Sequence, residues 1–451
     1  MTAKDTSGAA APGESIAELV AFLHRNPSHY GTLMRLGALL AENGNAPAAR
    51  TVFSQAIREH PNAAAPYACL GTLLADDGEH AAARQAFDSA LALEPAYREA
   101  MRGIAVIAER EGELEDAERV WRRGFPSGSV EVSPFRGSGE PVRVLYLTSA
   151  LGGNIPMQYV FDDRTFEVAT LIAESVPPQV ILPPHDVVFN AIGDADRCER
   201  ALTFAQCICA QTNAPIVNDP ARILETTRLR NSERLRELPG VITAHMAVLA
   251  AVDLCAVDAS DKLAAAGLAW PILLRSPGFQ TGEHFERVDG PGDLARCVAE
   301  LPGPVLLAIE YLDSRGADRM FRKYRVMTIG GRLYPVHLAI SEGWKVHYFR
   351  SSMAESAGYR TEEAAFLTDM HGVLGERVID ALQRIAAILG VEYGGIDFAV
   401  RPDGKVVVFE ANATMVLVPP KADAHWDYRR RAFADAIEAA RVVLIAAKAA
   451  G

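Results

Sequence analysis

The 451 residues carry a formal charge of −12, with 49% hydrophobic and 23% charged side chains. That is the composition of folded globular domains, enough for about two to four of them, and it excludes a disordered or fibrous chain. The acidic balance, with no long Lys/Arg tract, also argues against a general nucleic-acid binder.

Residues 1–14 are small, polar and Ala/Gly-rich, and are expected to form a disordered tail. They lack a basic region followed by an apolar core, so no signal peptide is read. No apolar run along the chain reaches the ~20 residues of a membrane helix. Six cysteines without CxxC spacing supply no disulfide framework. A reducing, cytoplasmic setting without membrane contact is therefore expected.

From residue 30 a 34-residue period appears. Leu36-Gly37, Ala49, Phe53, Ala56 and Pro61 recur as Leu70-Gly71, Ala83, Phe87, Ala90 and Pro95, and more weakly as Ile104-Ala105, Ala117, Trp121 and Gly124. Small residues suit the places where antiparallel helices approach closely, Phe and Leu fill the space between them, and Pro ends the second helix. The pattern resembles the tetratricopeptide repeat and predicts a helical-repeat domain over residues 15–125. Such a module either docks a peptide or protein on its concave face or serves packing and oligomerisation, a homodimer included. Gly, Ser and Pro punctuation over 126–141 predicts a linker.

Beyond Pro141, strand and helix patterns alternate. Val142–Leu147 and Asp186–Ala191 read as buried parallel strands, Ala195–Gln211 as a helix and Pro215–Asn218 as a short strand, predicting an α/β layer over 142–235. The loop Ser149–Pro156 follows the first strand. It either approaches a ligand or is a plain tight turn.

The remaining stretch, 236–451, holds the candidate chemistry. The segment "PILLRSPGFQTGEH" delivers Arg275 at the end of an apolar strand. It continues into a loop whose Gly278, Thr281 and Gly282 offer backbone N–H groups and a hydroxyl to an anion. Pro304–Asp313 reads as a buried strand running into the polar Glu310, Tyr311, Leu312 and Asp313. Lys323–Leu338 reads as a hairpin turning at Gly330-Gly331, so that Thr328 faces Leu333 and Met327 faces Tyr334. A second hairpin is expected in "GIDFAVRPDGKVVVFEAN", with Asp403-Gly404 as a two-residue type I′ turn. Counting outward, Pro402 faces Lys405, Val400 faces Val407 and Asp397 faces Glu410, with Asn412 on the same face. Directly opposed carboxylates repel, so something must neutralise them, and removing one is expected to relieve the repulsion. Asp397, Glu410 and Asn412 offer three hard oxygen donors suited to Mg²⁺. The alternative is an acidic surface hairpin neutralised by a neighbouring Arg.

This order of elements resembles the ATP-grasp superfamily, of the D-alanine–D-alanine ligase and glutathione synthetase types, over about residues 142–440. The resemblance implies a small parallel-sheet layer followed by two α+β subdomains clasping ATP. It implies that Asp397, Glu410 and Asn412 hold Mg²⁺, that Arg275 and Arg228 stand where the family has phosphate-binding lysines, and that Glu310, Tyr311 and Leu312 meet adenine. Asp313 or Asp318 would reach the ribose, and Arg325 would sit beside the γ-phosphate and acyl group. Beside the resemblance, His337, Lys345 and His347 follow the Arg325 strand and are candidate substrate contacts, the alternatives being strand histidines satisfied by backbone carbonyls and a solvated Lys345. Arginine in place of both lysines changes a point charge into a planar fork. Ala413-Thr414-Met415-Val416 replaces the family's Pro/Gly-rich continuation, so the acceptor pocket differs. The implied activity is ATP-dependent ligation of a carboxylate to an amine or similar nucleophile through an acyl phosphate, on a small-molecule or peptide substrate. The alternative is a non-catalytic tetratricopeptide adaptor that keeps a nucleotide-binding domain.

Overall fold

The structure is a computed structural model and describes residues 15–111, 113–125, 130–176, 180–277, 284–346, 353–420 and 423–450. The chain divides into two compact units, Met1–Gly128 and Ser129–Gly451.

Among the described residues, the first unit is a run of seven helices: α1 (Ile16–Arg25), α2 (Tyr30–Glu42), α3 (Ala46–Glu59), α4 (Ala64–Asp76), α5 (His80–Leu93), α6 (Arg98–Glu111) and α7 (Leu114–Gly124). A capping box starts α1, in which Ser15 and Glu18 satisfy each other's backbone N–H groups. The 34-residue period is visible as packing. A Cβ on Gly37 would stand 2.5 Å from the Phe53 ring, and one on Gly71 would stand 2.7 Å from Phe87. Only glycine lets each helix pair close on its aromatic residue. The same period recurs in surface charge: Arg50 pairs with Asp77 and Glu79, and Arg84 with Glu111 and Glu113.

Among the described residues, the second unit contains three sheets. Strands β1 (Val130–Ser133), β2 (Val142–Thr148), β3 (Phe166–Ile172), β4 (Val187–Asn190) and β5 (Ile216–Val217) form the first, in the order β1-β3-β2-β4-β5. It is parallel except for β1, which runs antiparallel along β3. Residues 130–133, read from the sequence as linker, are therefore an edge strand of this unit. In chain order, β6 (Val241–Thr243), β7 (Met246–Ala250), β8 (Ile272–Arg275), β9 (Phe285–Val288) and β10 (Val305–Glu310) follow. Of these, β7-β10-β8-β9 form an antiparallel sheet. The last sheet joins β6 to β11 (Phe321–Ile329), β12 (Arg332–Ser341), β13 (Tyr393–Val400) and β14 (Val406–Asn412) in the order β12-β11-β13-β14-β6.

The two hairpins of this last sheet depart from simple counting in informative ways. Gly330 and Gly331 both take positive φ, and Thr328 faces Leu333 and Met327 faces Tyr334 as expected. Near Pro335, however, a β-bulge skips Val336 and brings His337 opposite Arg325. Proline cannot donate to the ladder, and a bulge accommodates it. In the other hairpin Arg401 N–H donates to Lys405 O, and only Gly404 has positive φ. The loop thus has three residues, a type I turn closed by a left-handed glycine, instead of the expected two-residue I′ turn. Val400 accordingly faces Val406. A bulge at Phe409 then shifts the register back, and Asp397 faces Glu410 after all.

Candidate functional site

The consequence is one row of ionisable residues across four neighbouring strands. His337 on β12 faces Arg325 on β11, Arg325 faces Asp397 on β13, and Asp397 faces Glu410 on β14. Alternation sends Tyr324 and Val326 to the opposite face, where Tyr324 stacks on Phe398 and meets Phe366 edge-on. That buried face holds the sheet rigid behind the row.

The opposed carboxylates are neutralised from within the chain. Arg325 grips Asp397 with two hydrogen bonds, Nε to Oδ1 at 2.6 Å and Nη2 to Oδ2 at 2.8 Å, and Lys323 Nζ adds a third at 3.0 Å. Glu410 Oε1 accepts from Arg228 Nη2 at 2.7 Å and from the Asn412 amide at 2.9 Å. Arg228, at the start of the helix Arg228–Arg236, also binds Asp196. Burial pushes the Asp397 carboxyl upward, but Arg325 and Lys323 outweigh it and hold it well below the usual range. Burial likewise opposes ionisation of Glu410, and Arg228 holds it low. Burial, reinforced by the neighbouring Arg228, lowers Arg275 to about 10. Burial keeps His337 neutral, with Arg325 acting in the same direction.

The row forms part of the wall of a cavity of about 610 Å³. One side of it is apolar: Met246, Leu273, Ile309, Leu312 and Phe285 cluster there. The other side is cationic. Among the described lining residues, six cations stand against three carboxylates, and carboxylates behind the wall, Asp196, Glu363 and Glu286, pair with Arg228, Arg429 and Lys345.

Of the residues expected at the site, Arg228, Arg275, Glu310, Tyr311, Leu312, Arg325, His337, Lys345, Asp397 and Glu410 line this cavity. Glu310 accepts a hydrogen bond from the His245 backbone N–H, and Lys345 donates to Phe285 O. Asp313 and Asp318 are absent from the lining. The first is clasped by Arg315 and the second by Arg322, which lowers the Asp318 carboxyl to about 2. Asn412 also lies off the main cavity, beside a small cleft, and its carbonyl oxygen accepts from Thr414 N–H and Oγ. Gly278, Thr281, Gly282 and His347 lie outside the described residues. Lys323 and Arg429 are lining cations that sequence reasoning missed. The first stands two residues before Arg325 on the same strand face, a signal that was available. The second arrives from a 3-10 helix, Ala424–Arg429, and pairs with the buried Glu363, a partner that no local pattern reveals.

Asp397 and Glu410 suit Mg²⁺ as hard oxygen donors on one row facing a cationic cavity. Asn412 turns its NH₂ side to Glu410, and both Asp397 oxygens accept from Arg325 and Lys323, so an ion entering here would have to displace those cations. Among the described residues no cluster of three or more His, Cys, Asp or Glu forms a metal site.

Residues 10–64 and 70–128 match the family model of the tetratricopeptide repeat. The first unit is accordingly a tetratricopeptide-repeat region. No curated protein matches the chain. Among solved structures, the VanG D-Ala:D-Ser ligase from Enterococcus faecalis is 12% identical, with 68% of this chain and 100% of that one covered and a TM-score of 0.43. The D-alanine-D-alanine ligase from Coxiella burnetii is 13% identical, with coverage of 68% and 95% and a TM-score of 0.43. MamA matches 25% of this chain at 22% identity and a TM-score of 0.24, and the match spans 65% of that structure's length. Among the described residues no helix is long and apolar enough to cross a membrane.

Proposed function

We propose that the second unit is an ATP-grasp ligase that joins a carboxylate to an amine or similar nucleophile, using ATP and Mg²⁺. The observation that carries this reading is the two-sided cavity, with an apolar slot suited to a purine beside a charged row suited to a polyphosphate. Met246, Leu273, Ile309 and Leu312 sandwich the base, and the β10 terminus at Glu310 and Tyr311 offers polar edges to it. Arg275, Arg228 and Lys323 hold the phosphates, and Arg325 stabilises charge on the transferring group. Asp397 and Glu410 would hold Mg²⁺, which when bound screens the phosphates and orients them.

A substrate carboxylate oxygen attacks the γ-phosphorus and the β–γ bridge breaks, giving ADP and an acyl phosphate. The incoming nitrogen then attacks the acyl carbon, phosphate leaves, and the nitrogen sheds a proton. The chain's part is to position and to neutralise charge; among the described residues no nucleophile is needed. The tetratricopeptide unit would recruit a peptide, a protein or a second subunit.

The test supplies full-length protein and Mg-ATP with pools of amino acids and peptides, monitoring ADP, phosphate and product masses. Products lighter by one water than their summed reactants, matched one-to-one by ADP, are expected. ATP binding without ADP formation in any pool would favour the adaptor alternative.

A further inference from the structure

Both carboxylates that would hold the metal already have resident counter-ions. Asp397 is only 2% exposed and both its oxygens are taken, Oδ1 by Arg325 and Oδ2 by Arg325 and Lys323. Glu410 shares Oε1 between Arg228 and Asn412. A bare divalent cation entering this row meets Arg228, Lys323 and Arg325 on the carboxylates and Arg275 close by. It would have to displace Arg325 and Lys323 from Asp397, leaving two largely buried cations without their counter-charge. A polyphosphate alone faces the converse obstacle, since the cations it needs are engaged by carboxylates. When both arrive together, each accepts the partners the other displaces, and no buried charge is left uncompensated.

Resting on the ATP-grasp reading, we propose that Lys323, Arg325 and Arg228 act as internal gatekeepers that exchange partners. They sit on Asp397 and Glu410 in the empty site and turn to the phosphates as the metal takes the carboxylates. Metal and polyphosphate therefore bind with strong positive coupling, and linkage requires each to tighten the other by the same factor. Lys323 is the residue that this assigns anew: it shields Asp397 in the free protein and holds phosphate in the loaded one.

The experiment titrates the full chain with Mn²⁺, followed by its electron paramagnetic resonance signal and by calorimetry, so that turnover plays no part. Mn²⁺ alone should show no site tighter than on the order of 1 mM, and β,γ-methylene-ATP or inorganic tripolyphosphate should bind the protein at least tenfold tighter as its Mn²⁺ complex than with the metal removed by EDTA, roughly 1.4 kcal/mol or more. Adenosine should not. Lys323→Met should tighten Mn²⁺ binding in the absence of phosphate, the opposite of what loss of a ligand or of the fold produces. The wild-type comparison of tripolyphosphate with adenosine stands independently of that variant. Equal affinity of the protein for polyphosphate with and without Mn²⁺ overturns the gatekeeper inference and leaves nucleotide binding intact. Failure of nucleotide to bind with Mn²⁺ present or absent overturns the ATP reading itself, and this inference with it.

Discussion

Burial to 2% exposure would by itself favour a neutral Asp397, yet the side chain stays ionised because Arg325 and Lys323 reach it from the adjacent strand. Opposed carboxylates in a bare hairpin repel, and neutralising one should then relieve strain. In the folded protein each carboxylate instead balances buried cations, so the sign reverses. Asp397→Asn leaves Arg325 and Lys323 without counter-charge and should destabilise the second unit by about 3–5 kcal/mol. Glu410→Gln should cost less, because Glu410 keeps 24% of its side chain exposed and Arg228 retains Asp196. Urea denaturation of the two variants against wild type reads the difference. An unchanged or raised midpoint for Asp397→Asn would show that repulsion, not ion pairing, governs the row. At this scale the row's chemistry was legible from residue types and period two alone. Its counter-charges were not, because they come from β11 and from the helix Arg228–Arg236, 72 and 182 residues away from the groups they neutralise.

The two bulges show what pattern counting can and cannot reach within an element. Both fall immediately beside the charged row, at Val336 on β12 and at Phe409 on β14. The first swings His337 into the row, and the second corrects a register that the three-residue turn had displaced. Bulges are not announced by hydrophobic alternation, although Pro335 is a hint for one of them. Strand β3, "FEVATLI", went unread although it alternates, because Glu and Ala dilute the apolar run. The helical repeats were the most legible elements, since their period is written in small and aromatic residues. Gly37 tests that legibility. Adding a methyl there drives it into the Phe53 ring, so Gly37→Ala should cost the first unit roughly 1–3 kcal/mol. Differential scanning calorimetry should show the repeat transition move down while the transition of the second unit stays in place. A shift of both transitions would mean that the units do not melt independently.

At the scale of the whole molecule, the division at Gly128 separates a unit of helical repeats from one holding every residue assigned here to nucleotide, metal and phosphate. Each has its own hydrophobic core, the repeats around Phe87 and Ile107, the second unit around Leu274, Leu306 and its neighbours. Because β1 pairs along β3, a fragment meant to preserve the second unit must begin at Ser129, not after a linker ending at Pro141. That fragment, 323 residues from Ser129 to Gly451, is long enough to bury a core of its own and should fold alone. On the proposed ATP-grasp reading, it should bind Mg-ATP as tightly as the full chain. If the repeats recruit a peptide or protein substrate, their removal raises KM for that substrate while KM for ATP holds. If they instead join subunits, removal lowers the oligomer size measured by light scattering and affects both substrates alike. Recruitment is the expected result, because the proposed ligation uses no residue before Ser129, and a repeat unit contributing nothing to turnover can still raise the local concentration of what is turned over. Equal constants for both substrates, at unchanged oligomer size, would refute it.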